Sequence, residues 1–221
     1  MIQSRVLLVP VFLIGCAGHA FGQHAAAPDA IDAGAAWNKL MVGNTRYVSG
    51  HLDHPRQSVE RRASLAASQR PFAIVLSCAD SRVPPEVVFD QGLGDLFTVR
   101  VAGNVATDDV IASLEYAVAH LGPKLIVVLG HERCGAVDAT LKGGAPEGHL
   151  AALMDRIKPA TDAARNQTGD KLDSAVRFNV LNTVRQLKDS QPILGENVKS
   201  AGLKILGARY DLDTGKIELV Q

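Results

Sequence analysis

Hydrophobic positions along the chain fall into two patterns. Short, nearly continuous apolar runs with β-branched members occupy 72–76, 96–101, 125–129 and 203–210. Runs of this kind and length read as strands buried on both faces of a parallel sheet. Between them the apolar residues recur at helical spacing. The segment 35–48 carries Trp37, Leu40, Met41 and Val48 and stops before Gly50. A loop with Pro55 follows at 51–56, and 58–68 reads as a second helix with Ser58 as its cap and Arg61 and Arg62 outward. The helix predicted at 108–120 is capped by Thr107 or Asp108. Its buried stripe is Ile111, Leu114, Ala117 and Val118, and Gly122-Pro123 ends it. Further helices are predicted from Cys134 to Lys142, stopped by Gly143-Gly144, and over 174–189, with Val176, Val180, Val184 and Leu187 on one face. Asp213-Thr-Gly215 is a turn signal before a closing strand at 216–220. Strands alternating with helices predict an α/β fold with a mainly parallel central sheet flanked by helices.

The first residues follow a different logic. Arg5 is the one charge of a short leading region, and 6–14 is apolar with Pro10 inside it. That run is short for a bilayer span but suits the apolar region of a secretory signal, so 1–22 is read as a signal peptide. Two processing outcomes stand open. Small residues allow a cut after Ala20 or after Gly22. Alternatively, Leu13-Ile14-Gly15-Cys16 resembles a bacterial lipobox, in which 1–15 is the lipoprotein signal and Cys16 is lipidated as the new N-terminus. Either way the chain is expected to be exported, to the bacterial periplasm, and to meet a membrane only through a lipid on Cys16. Residues 23–34 read as an Ala-rich tether and 35–221 as a single domain. No apolar stretch of about 20 residues follows the leader, so no internal span is expected.

Composition narrows the function classes. Of the 221 residues, 47% are apolar, which suits a globular core. Lys+Arg and Asp+Glu both total 23, a balance that gives no electrostatic reason to expect nucleic acid or an anionic membrane as partner.

With the leader removed, two cysteines remain, Cys78 and Cys134. In an exported protein the first reading of such a pair is a disulfide. Their surroundings favour another. In open parallel sheets, sites form beyond the C-terminal ends of strands. The first apolar run leads into Ser77-Cys78-Ala79-Asp80-Ser81-Arg82, and the third into Gly130-His131-Glu132-Arg133-Cys134-Gly135. If those strands are neighbours, Cys78, His131 and Cys134 converge. Two thiolates and an imidazole are a ligand set that zinc prefers, and a catalytic zinc keeps its fourth position open. Asp80 is placed to fill or guard that position. Arg82 can grip Asp80 bidentately and keep it ionised. A disulfide would explain neither His131 nor the Asp80–Arg82 pair.

These motifs resemble the two signatures of β-class carbonic anhydrases: Cys78-Ala-Asp-Ser-Arg82 followed by Val83-Pro84-Pro85, and Gly130-His131-Glu-Arg-Cys134-Gly135. Phe89-Asp90-Gln91-Gly92, the run from Asp95 to Asn104, Ser113-Leu-Glu-Tyr-Ala-Val118 and Gly43-Asn44-Thr-Arg46-Tyr47-Val-Ser-Gly50 are similar to intervening and N-terminal segments of the same family. The resemblance implies one zinc per chain on Cys78, His131 and Cys134, with Asp80 and Arg82 as a catalytic dyad and Asp80 as a conditional fourth ligand at low pH. It places Gln69, Phe97 and Tyr116 in the wall of a substrate pocket. That wall comes from both subunits in the family, so a homodimer or higher homo-oligomer is implied, with the first helix as an N-terminal arm laid on a neighbour rather than part of its own core. One departure stands out. Members with a non-catalytic bicarbonate site carry tryptophan three residues before the first cysteine, where this chain has Val75, so that site is not expected.

The implied reaction is zinc-dependent, reversible hydration of carbon dioxide to bicarbonate and a proton, by attack of zinc-bound hydroxide. Three alternatives remain at this point: a zinc hydrolase on the same scaffold acting on carbon disulfide or carbonyl sulfide, a non-catalytic zinc-binding interaction protein, and a metal-free protein stapled by a disulfide.

Overall fold

A computed structural model describes residues 31–221; the stretch read as a signal peptide, most of that read as a tether, and Cys16 lie outside the described residues. Among the described residues five strands form one sheet: β1 (Ala73–Ser77), β2 (Leu96–Arg100), β3 (Leu125–His131), β4 (Lys204–Tyr210) and β5 (Ile217–Leu219). Their order is β2-β1-β3-β4-β5, with β5 alone antiparallel. The predicted neighbours are therefore real: β1 and β3 pair in parallel, Ser77 opposite Leu129.

Every residue of β1 and β3 is buried. Their alternate side chains feed two separate cores, as the period-two geometry of a strand requires. Ile74, Leu76, Ile126 and Val128 point to one face, where they meet Val110 and Leu114 of α4 (Asp108–Tyr116) and Val180, Val184 and Leu187 of α7 (Lys171–Asp189). Ala73, Val75, Leu125, Val127 and Leu129 point to the other, where they meet Phe89 and, from α1 (Ala33–Ser49), Ala36 and Leu40.

The first helix thus packs on its own chain, and the expectation that it is not part of its own core is corrected. The reason lies in Asn44, a buried polar residue that finds all its partners within the chain. Its amide donates to the carbonyls of Val88 and Gly215, each at 2.9 Å, and its oxygen accepts from the N–H of Ile217. The helix also starts two residues inside the stretch read as tether, because Asp32 caps it by accepting from the N–H of Ala35.

The other helices are α2 (Val59–Ser64), α3 (Pro85–Val88), α5 (Gly135–Lys142), α6 (Leu150–Ala164) and α8 (Ile193–Ser200). Ser58 caps α2 as expected, but the helix ends at Ser64 rather than continuing to 68. Thr107 is the cap of α4, which gives way to a π-helical turn at Ala117–Leu121. Leu114, Ala117 and Val118 of the predicted stripe are buried, whereas Ile111 is only partly buried and Val110 joins the core beside them. A third cluster lies beyond the C-terminal ends of β1 and β3. It joins Cys78 and Cys134 to Val105, Val137, Ile157, Ala164, Ala175 and Val176, so that α5, α6 and α7 roof the ends of the central strands.

Candidate functional site

Cys78 follows β1, His131 closes β3, and Cys134 is the N-cap residue of α5. All three are buried, and their ligand atoms lie within 4.8 Å of one another. Both cysteines are free, with Sγ–Sγ 4.0 Å. A disulfide requires about 2.05 Å. Two thiolates sharing a tetrahedral zinc would stand about 3.8 Å apart, given a Zn–S bond of about 2.3 Å. The disulfide reading therefore fails on geometry, and the metal reading fits.

The imidazole gives a second test of fit. His131 is fully buried, and its Nδ1 lies 2.8 Å from the carbonyl oxygen of Glu132. A carbonyl can only accept, so Nδ1 carries the proton and Nε2 the lone pair. That Nε2 is buried without a hydrogen-bond partner among the described residues. A buried acceptor left unpaired is costly, and a zinc ion between it and the two sulfurs would satisfy it.

The thiols are prepared unequally. A hydrogen bond from the Cys134 thiol lowers the pKa of Cys78 from the usual thiol value, with a smaller contribution from the N–H of Gly103 at 3.3 Å. Cys134, facing that thiolate and buried, is pushed up. The Gly103 donor requires a glycine. Its φ is +67°, and a Cβ there would sit 2.8 Å from Cδ1 of Ile157.

Asp80 lies at the rim. Arg82 holds it by two side-chain bonds, Nε to Oδ1 at 2.9 Å and Nη2 to Oδ2 at 2.7 Å, and by its own N–H to Oδ1 at 2.9 Å. This grip drives the Asp80 carboxyl far below the ordinary carboxylate range. Its Oδ2 stands 3.7 Å from Nε2 of His131, so an ionised, oriented carboxylate faces the point where the three ligand atoms converge.

The three expected pocket residues are not brought to this cluster. Phe97 and Tyr116 stand together, ring centroids 6.3 Å apart. Phe97 pairs in register with Ile74, four residues before Cys78, which puts it about 13 Å back along the sheet. Tyr116 is 51% exposed, and Gln69 is exposed in the segment leading to β1.

One contributor was not foreseen. Arg100, at the end of β2, donates to the carbonyl oxygens of Cys78 at 3.1 Å and Asp80 at 2.6 Å. The only sequence signal for it is an arginine closing an apolar run, which does not reveal what it reaches. A further acidic group, Glu132, Asp211 and Asp213, lies near the same sheet edge, but Arg133 and Arg209 already occupy it.

Comparison with known proteins agrees with this geometry. Residues 73–217 match the family model described as carbonic anhydrase. Carbonic anhydrase 2 of Mycobacterium tuberculosis is 43% identical over 189 residues, covering 84% of this chain and 91% of that protein. The carbonic anhydrase of Mycolicibacterium smegmatis is likewise 43% identical, covering 84% and 92%. Among solved structures, one of two tetrameric β-carbonic anhydrases from Sordaria macrospora superposes with a TM-score of 0.67 at 25% identity, covering 85% of this chain and 94% of that one.

Proposed function

The chain belongs to the β-class carbonic anhydrase family, and from that premise we propose that it hydrates carbon dioxide reversibly to bicarbonate and a proton with one zinc held by Cys78, His131 and Cys134. The observation that carries the metal assignment is the buried, unpartnered Nε2 of His131 facing two free thiols. Zinc there would supply a hydroxide nucleophile at neutral pH, because it lowers the pKa of a bound water to about 7.

The chain's own groups do the rest. The Asp80 carboxylate, kept ionised by Arg82, would accept a hydrogen bond from the nucleophile and so orient it toward carbon dioxide. Arg100 fixes the main chain on either side of Ala79 and thereby the relative position of Cys78 and Asp80. Val105, Val137, Ile157 and Val176 close the inner side with apolar surface, which suits a small uncharged substrate.

The outer wall is assigned to a second copy of the chain. Gln69, Phe97 and Tyr116 are remote from their own cluster, and two of them are exposed. In a homo-oligomer they would serve a neighbour's site. The leader motif, with Arg5 and the apolar run 6–14, supports export to the periplasm, with Cys16 as the lipidation position if the lipobox is used.

Stopped-flow hydration of carbon dioxide tests this reading. Wild-type protein should be active, Cys78→Ser inactive, and Asp80→Asn reduced on the order of 100-fold, as for loss of an oriented polar group at a reacting centre. Full activity in Asp80→Asn would remove Asp80 from the mechanism.

A further inference from the structure

The peptide joining Glu132 to Arg133 has an unusual task. Its carbonyl oxygen is the one held at Nδ1 of His131. The plane of that peptide is set in part by φ of Arg133, which is +50°. A long-chain residue rarely adopts this left-handed conformation, because its Cβ crowds the neighbouring carbonyl. Returning Arg133 to negative φ would turn the Glu132 carbonyl away from the imidazole. Something must therefore hold the turn in its less favourable form.

The side chain of Arg133 is itself tied down. Its Nη1 donates to Oδ2 of Asp213 at 2.9 Å and its Nη2 to Oδ1 at 2.7 Å. Single-contact surface ion pairs contribute little, but a two-bond fork fixes the guanidinium in direction as well as distance. The far end is firm as well. Asp213 lies in the turn between β4 and β5, where the Asp211 carboxylate accepts from the N–H groups of Asp213 and Thr214. Asn44 pins the same turn to α1 through Gly215 and Ile217. Glu132 adds a parallel tie, its N–H donating to the carbonyl of Tyr210 and its carboxylate accepting from the N–H of Leu212.

We propose that Asp213 and Arg133 are positioning residues for His131: their fork holds Arg133 left-handed, keeps the Glu132 carbonyl on Nδ1, and so presents the lone pair of Nε2 to the metal. The turn between β4 and β5 becomes an outer support of the site although it touches none of the three ligands. For the metal this rests on the zinc reading above; for the imidazole tautomer it does not.

The experiment separates the two. Full mature chain, reduced and stripped of metal, is labelled with 15N, and the imidazole nitrogens are recorded for wild type, Asp213→Ala and Arg133→Ala. Both positions are exposed, and circular dichroism verifies that the variants are folded. Wild type should show His131 as the Nδ1–H tautomer, whereas both variants should show a mixture. Zinc affinity by chelator competition should then fall about tenfold in each, the scale of a lost outer-shell partner. An unchanged His131 tautomer in either variant overturns the proposal, whatever the zinc affinity does. Altered tautomers with no zinc bound by wild type would uphold the clamp and reject the metal reading.

Discussion

The guanidinium of Arg100 lies 2.6 Å from the main-chain carbonyl oxygen of Asp80. A side chain at the end of β2 thus fixes the loop that carries Cys78 and Asp80, with a second bond to the carbonyl of Cys78. Hydrogen bonds from a charged donor are worth about 1.5–3 kcal/mol, with the lower end apt for an exposed arginine. Arg100→Ala should lower unfolding free energy by about 1–2 kcal/mol and reduce kcat/KM about tenfold, equivalent to about 1.4 kcal/mol. Urea unfolding and steady-state kinetics measure the two effects. Loss of stability with unchanged kcat/KM would confine Arg100 to a structural role.

The Asp80–Arg82 pair makes a prediction in pH. The Asp80 carboxyl titrates below its unfolded value of about 3.9 because Arg82 holds the ionised form. A depressed carboxyl pKa contributes stability that is complete above the unfolded value and is lost as pH falls through the folded one. In Arg82→Gln the Asp80 pKa should rise toward 3.9, and the stability difference from wild type should be largest near neutrality and shrink below about pH 4. Carboxyl 13C titration of both proteins reads the shift directly. An Asp80 that titrates identically in both would contradict the assignment of Arg82 as its cause.

Gly103 should tolerate no side chain. It combines a φ of +67° with a would-be Cβ contact of 2.8 Å to Ile157, and its N–H serves Cys78 Sγ. Gly103→Ala is expected to cost about 1–3 kcal/mol, the range for backbone forced into a sparsely populated region, and to weaken metal retention. Thermal unfolding with and without zinc checks both parts, and a wild-type Tm in the variant would count against the strain argument.

Asn44 anchors α1 to the turn before β5. Asn44→Ala leaves two carbonyls and one N–H without their partner. At about 1–3 kcal/mol for each buried group left unpaired, and with partial relaxation, a loss of about 3 kcal/mol is expected. Urea denaturation of the variant measures it; a loss under about 1 kcal/mol would show that water replaces the amide freely.

Most of the sheet could be read from the chain because its central strands are buried on both faces and so present continuous apolar runs, as at 73–77 and 125–129. The convergence of Cys78, His131 and Cys134 was readable for the same reason, since neighbouring parallel strands bring the residues just past their C-terminal ends together. Other features left no such trace. Helix α6 turns Ile157, Ala160, Thr161 and Ala164 inward and carries Pro159, so its buried stripe is made largely of small or polar residues and its interior holds a helix breaker. Helix α8 follows Pro192 and contains Gly195, and α3 is only four residues long. The place of α1 on its own core depended on Asn44, whose partners lie 44 and 171 or more residues away. The contacts of Arg100 and Arg133 depend on side-chain reach and on one positive φ, which no spacing pattern encodes.

The most direct test of the zinc mechanism is metal content and carbon dioxide hydration measured on one preparation of the mature chain. The protein should hold about one zinc per chain, lose hydration when a chelator removes it, and recover when zinc alone is returned. Purified protein that hydrates carbon dioxide at its full rate with both cysteines free and no zinc bound would contradict the mechanism.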